Sequence, residues 1–425
     1  MPPLTRACAA AEAPPSLLDA LARAPAAAAL VVAALEEADD RKALRLVHTQ
    51  LRDVVGEVTW KLEADLRVAA RPPTARRWPR LEELAISYPN LAATKALGSG
   101  TWAGLRALSL GNTHWNTALG APAARALAAA LRRMPALRAL ELRRVQLPAK
   151  AAQELFRASR AEAALHLRAL TMWNAGLAPA AARILAASGW RLEALDLTGN
   201  RGLGAAGVAA LGAAPSFLIR RLNLGICNLD AASLLNIADA PWPLEELALS
   251  FNDFSAAAVG PALAALSRLP RLRRLDVSYC ELSAANFKAL VEAAWPALMY
   301  FSAVMSDRWL DVADYMDRWT LESSAGGPDA LGAAAFAGFP ALEVLDLSGV
   351  ALGEAGAALL ASRRWARLKV LQLDKARLGD AGVAALARGA WPALEELHLS
   401  DNHLGAPPTL EDARRWAPAL VELRA

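Results

Sequence analysis

Apolar residues recur in one fixed frame through most of this 425-residue chain, and that recurrence limits its folds more than any other feature. The frame is Leu-x-x-Leu-x-Leu-x-x-Asn/Cys. It reads Leu192, Leu195, Leu197 and Asn200 in one copy, and Leu244, Leu247, Leu249 and Asn252 in another. It returns as Leu272, Leu275, Val277 and Cys280, and as Leu394, Leu397, Leu399 and Asn402. Frames begin at Leu81, Leu105, Leu137, Leu167, Leu192, Ile219, Leu244, Leu272, Leu298, Leu342, Leu368, Leu394 and Leu420, with most gaps between 24 and 32 residues. Alternating apolar residues make a short strand with one covered face. The Asn or Cys that follows is placed to hydrogen-bond backbone where the chain turns. Leu378-Gly379-Asp380-Ala381-Gly382-Val383-Ala384-Ala385-Leu386-Ala387 then reads as a turn and an Ala-rich helix. One strand and one helix cannot bury their apolar faces alone. Stacked copies can, which predicts a solenoid with its strands in one parallel sheet and its helices outside.

With one strand and one helix per unit, the predicted fold class is α/β, a horseshoe solenoid with the sheet on its concave side. The frame resembles the leucine-rich repeat family over about four fifths of the chain. Two subtypes share the resemblance. The Leu-Gly-x-x-Gly turn looks like the ribonuclease-inhibitor type, whereas the 26-residue spacing with Cys227 and Cys280 looks like the cysteine-containing type common in ubiquitin-ligase adaptors. The residues fit both.

Four regions are predicted: a flexible tail at 1–15, a helical segment at 16–70, a Pro- and Arg-rich linker at 71–80, and about 13 repeats at 81–425. In the helical segment Ser16 is placed to cap a helix through Leu17, Leu18 and Leu21. A later stripe runs through Leu44, Val47, Leu51, Val54 and Val55, with Asp39 and Asp40 at its favourable N-terminal end. Val58, Trp60 and Leu62 alternate as a first strand or edge cap would. The run from Asp40 to Arg52 is similar to the second half of an F-box, although His48 stands where Cys or Ser is usual and no Leu-Pro-x-Glu start precedes it. That resemblance implies that Leu44, Val47 and Leu51 dock a ubiquitin-ligase adaptor. A helical cap on the solenoid predicts the same stripe. The frame at Leu298 is degenerate, and the gap after it is 44 residues. Within the gap Trp309, Val312, Ala313, Met316 and Trp319 predict an inserted helix near 306–328. The last frame, Leu420 to Ala425, stops after one strand and is expected to leave the array without a C-terminal cap.

Signals for chemistry are few. Lys plus Arg outnumber Asp plus Glu by 46 to 42, a mild excess of scattered Arg that does not argue for nucleic acid. No apolar run reaches the ~18 residues of a membrane span. Three cysteines are too few for a disulfide framework and point to a reducing compartment. A cytoplasmic protein is expected, with nuclear or cytoskeletal association also open, and the run Ala24 to Leu35 reads as a packed helix rather than a leader. Gly202-Leu203-Gly204-Ala205-Ala206-Gly207 spells a dinucleotide-binding pattern, but the turns at Gly353 and Gly356 and at Gly379 and Gly382 repeat its last two glycines. It is read as repeat turn chemistry. The five histidines are dispersed, and none stands at metal-ligand spacing. No catalytic, cofactor or metal site is expected, and the chain is read as no enzyme.

Trp78, Trp102, Trp295, Trp365 and Trp391 each lie three residues before a frame, and Trp190 and Trp242 two before, so these are assigned to the core. The third, fifth and seventh residues of the frame point to the concave face, with the eighth at its edge. Larger groups gather there: Arg143, Arg144, Trp173, Arg221, Phe251, Arg274, Tyr279 and Tyr300. Aromatic and Arg side chains make protein-binding hot spots, so a monomer that binds a protein partner on this face is expected. The two resemblances together imply a substrate receptor of a cullin-based ubiquitin ligase. A cytoskeletal or axonemal scaffold fits the same architecture, as does a Ran-type GTPase-activating protein, although no one Arg is singled out as catalytic.

Overall fold

The computed structural model describes residues 61–65, 80–87, 89–111, 117–158, 166–305 and 334–425. The adaptor-binding residues Leu44, Val47 and Leu51 and the inserted helix near 306–328 lie outside them. The chain divides into two compact units, Met1–Thr171 and Met172–Ala425, described here separately.

In the first unit β1 (Lys61–Asp65), β2 (Glu83–Ser87), β3 (Ala107–Gly111), β5 (Ala139–Arg143) and β7 (Ala169–Thr171) form a parallel sheet in that order. The short β4 (Thr117–Ala118) and β6 (Val145–Gln146) pair beside it. Helices Leu91–Leu97, Ala121–Leu131 and Ala149–Ala158 connect the strands. Leu84, Leu108, Leu140 and Leu170 stand in register, each the fourth residue of its frame.

The second unit repeats the plan. Its sheet runs β8 (Ala194–Asp196), β9 (Arg221–Asn223), β10 (Glu246–Ala248), β11 (Arg274–Asp276), β12 (Tyr300–Ser302), β13 (Val344–Asp346), β14 (Val370–Gln372), β15 (Glu396–His398) and β16 (Glu422–Arg424), all parallel. Every frame read from the sequence therefore carries a strand at its third to fifth residues, and each unit is an α/β repeat solenoid. The degenerate frame keeps its strand: Phe301 stands in register between Leu275 and Leu345 and is fully buried.

Side chains that close each turn explain why the period is strict. Asn252 is buried and accepts from the amides of Cys227 and Leu229 at 3.0 and 3.1 Å. Its Nδ2 donates to the carbonyls of Leu224 and Leu249 at 2.9 and 2.7 Å. Asn200 does the same for Ala175, Leu177, Met172 and Leu197. One amide thus satisfies four buried backbone groups of two successive turns, which neither strand nor helix pairs. Cys227 and Cys280 hold the same place with less: each thiol donates at 3.1 Å, to the carbonyls of Leu197 and Leu249.

The remaining turn features follow the sequence. Gly204, Gly353 and Gly379 open their helices with φ between +52° and +58°, a conformation that costs glycine little. Gly207, Gly356 and Gly382 sit against the side chains of Leu203, Leu352 and Leu378, where a Cβ has no room. The dinucleotide-like pattern is therefore a packed repeat turn. At the helix-to-strand corner Trp102, Trp295, Trp365 and Trp391 are buried. Each donates its indole N–H to the carbonyl five residues earlier, at 2.8 to 3.0 Å.

Candidate partner-binding face

Along most described strands the fourth residue is buried and its neighbours are not, as in Arg221-Leu222-Asn223, so one sheet face packs on the helices and the other is open; Ser302 and His398 are buried exceptions on the open face. Where the strand ends, the backbone turns over. The eighth residue of the frame is left-handed in nearly every copy: Arg144, Asn174, Gly199, Ile226, Phe251, Tyr279, Gly349, Lys375 and Asp401 have φ from +49° to +82°. For side chains as large as Phe and Tyr this is a strained conformation. Met305 is the described exception, and Gly349 beside it has no space for a Cβ against the Met305 carbonyl.

The sequence-predicted residues fall into groups. In the first unit Arg143 is exposed and pairs with Glu141 of its own strand, while Arg144 is half-buried at the left-handed position. In the second unit Trp173 is half-buried at the end of its frame. The other five gather on adjacent strands. The Phe251 and Tyr279 rings stack with centroids 4.7 Å apart and planes 17° from parallel, and Phe251 is 37% exposed. The Arg274 guanidinium lies 3.5 Å from the centre of the Tyr300 ring, its in-register neighbour on β12. Arg221 shares that row with Arg274, with Glu246 between them.

Sequence reasoning missed the polar row beside this cluster. Fifth residues of the frames from Leu192 onward place Asp196, Asn223, Asp276, Ser302, Asp346, Gln372 and His398 across the sheet, interrupted by Ala248 between Asn223 and Asp276. Asp276 accepts from the Ser250 hydroxyl at 2.8 Å and the Ser278 amide at 2.9 Å. Burial, then the charges of Asp374 and Asp276, raises the Asp346 carboxyl above its ordinary range. Beyond the stack lie Asp253 and Glu281, and Glu281 is likewise raised, first by burial and then by Asp253. The repeated polar residue at one frame position was a readable signal. Its partial burial was not, since that depends on neighbouring strands.

His398 is buried, whereas His403 is exposed in a turn. Among the described residues no group of three or more His, Cys, Asp or Glu side chains is placed to hold a metal ion. Burial pushes the Cys227 thiol from its ordinary 9.0 up to about 12, and raises Cys280 as well. A thiol so held is a poor nucleophile. In a Cys8→Ser chain, Ellman's reagent at pH 8 should therefore modify neither thiol until the protein unfolds. Unfolded thiols ionise near 9.0 and the folded Cys227 only near 12, so the stability this thiol confers is complete below pH 9 and is lost as pH rises toward 12. Urea midpoints across that range, compared with those of Cys227→Ala, check the sign.

A family model described as Leucine Rich repeat matches residues 192–212. No curated protein matches the chain. Among solved structures it is similar to a chain of the mouse RP105/MD-1 complex, with 16% identity, a TM-score of 0.44, and coverage of 81% of this chain and 59% of that one. It is also similar to a chain of the yeast Rad7 and Elc1 complex, at 14% identity and TM-score 0.41, covering 97% and 98%. A third likeness is to a chain of the Drosophila Toll–Spatzle complex, at 14% identity and TM-score 0.48, covering 88% and 49%.

Proposed function

We propose that this chain is a non-catalytic, cytoplasmic protein-binding solenoid, and that it serves as the substrate-recognition subunit of a cullin-based ubiquitin ligase. The cluster of Arg221, Phe251, Arg274, Tyr279 and Tyr300 on the open sheet face carries the first part. Aromatic and Arg groups held by a packed scaffold lose little entropy on binding, and a few of them supply most of the affinity. Free, buried Cys227 and Cys280 support a reducing compartment. The ligase part rests on the F-box-like run from Asp40 to Arg52.

Point variants of the full chain test both parts, because truncation into β1 would also expose the edge of β2. Leu44→Asp with Val47→Asp is expected to abolish capture of the ubiquitin-ligase adaptor, read by mass spectrometry, while other partners are retained. Phe251→Ala with Tyr279→Ala should do the reverse, weakening partner capture at least about tenfold. Absence of any adaptor from the wild-type capture would refute the ligase reading.

A further inference from the structure

The charge at the strand-end half of the open face is opposite to that of the chain. The chain carries +4, but bases at the start of a frame are taken up by neighbouring frames: Arg220, second in its frame, pairs with Glu245 at 2.5 Å, and Arg367, just before Leu368, with Glu343 at 2.7 Å. At the other end stand Asp253, Asp276, Glu281, Asp346 and Asp374. Asp253, Asp276, Asp346 and Asp374 accept hydrogen bonds from serine hydroxyls or backbone amides. Among the described residues no Lys or Arg forms an ion pair with any of the five.

Three further observations point to what neutralises them. The Phe251–Tyr279 stack stands between Asp253 and Glu281 on the turn side and Asp276 on the strand side, and aromatic rings attract cations. The same face shows such a contact within the chain, Arg274 over Tyr300. His398, on the row of Asp276 and Asp346, is 7% exposed, and its Nε2 has no hydrogen-bond partner among the described residues.

We infer that this half of the face, from the Phe251–Tyr279 stack to Asp346 and Asp374, docks a basic protein segment whose Arg side chains enter between the rings and the carboxylates. The inference rests on the reading of the face as a protein-docking surface, and it names the chemistry of what is held. Arginine suits the site better than lysine: its planar guanidinium both stacks on rings and meets carboxylates in bidentate fashion. A nucleic acid would bring the wrong sign of charge.

The test uses the full chain and a fluorescein-labelled peptide of alternating Arg and Gly, followed by anisotropy at low and high salt. Saturable binding is expected, weakened at least about tenfold by Phe251→Ala with Tyr279→Ala, by Asp253→Asn with Glu281→Gln, and by added salt. These side chains are at the surface, and circular dichroism verifies that the variants fold. A Glu-Gly peptide and a single-stranded oligonucleotide should not bind. No binding of the Arg-Gly peptide, binding undiminished in the Asp253→Asn and Glu281→Gln variant, or tighter binding of the oligonucleotide would overturn the inference. A photo-crosslinking residue in place of Tyr279 separates the two readings. A cross-linked partner that meets Tyr279 with an acidic or apolar segment sinks this inference and leaves the docking surface standing. Absence of any protein cross-link sinks the docking surface itself.

Discussion

Asn252→Ala is expected to lower the unfolding free energy of the second unit by about 3 kcal/mol, because it orphans three buried backbone groups at once, each worth about 1 kcal/mol or more. The amides of Cys227 and Leu229 and the carbonyl of Leu224 lose their partner together, while the Leu249 carbonyl keeps the Cys280 thiol. The three orphaned groups belong to the turn of the repeat before that of Asn252, so the damage crosses from one repeat to the next. Cys280→Ala, by contrast, removes one donated bond to the Leu249 carbonyl and should cost about 1 kcal/mol. Chemical denaturation followed by tryptophan fluorescence gives both numbers. A cost for Asn252→Ala no larger than that for Cys280→Ala would mean that water serves these turns as well as the amide does.

A comparable loss, about 4 kcal/mol, is expected for Trp391→Ala, which empties one of the largest sites in the core. Trp391 is 1% exposed, its ring lies parallel to Trp365 with centroids 6.4 Å apart, and its N–H reaches the Leu386 carbonyl at 3.0 Å. Trp391→Phe keeps most of the volume but removes one of that carbonyl's two donors, the Gly389 amide remaining, and should cost about 1 kcal/mol. If the two variants were equally destabilised, the hydrogen bond would be the dominant contribution and the packing argument would fail.

What the sequence revealed and what it concealed divide along a physical line. Strand positions were legible because a period of two needs only the spacing of Leu192, Leu195 and Leu197 and its repetition. The corner tryptophans and the paired glycines were legible for the same reason: each sits at a constant offset from a frame. Phe251 and Tyr279 were recognised as exposed, yet their stacking depends on a left-handed backbone that neither residue favours. Neighbouring turns impose it: the Phe251 amide donates to Ser278 and the Tyr279 amide to Val304. The raised carboxyls of Glu281 and Asp346 were hidden likewise, since the charges that act on them come from distant positions in the chain, Asp253 on Glu281 and Asp374 and Asp276 on Asp346.

The left-handed eighth position also sets stability against recognition. A non-glycine residue there costs about 1 kcal/mol relative to glycine, and Gly199 and Gly349 show that the turn accepts glycine. Phe251→Gly should accordingly ease its own turn while removing one ring of the stack. At this position the array would become firmer as its surface became blanker, so the side chains displayed there mark where a more stable solenoid would be a poorer binder.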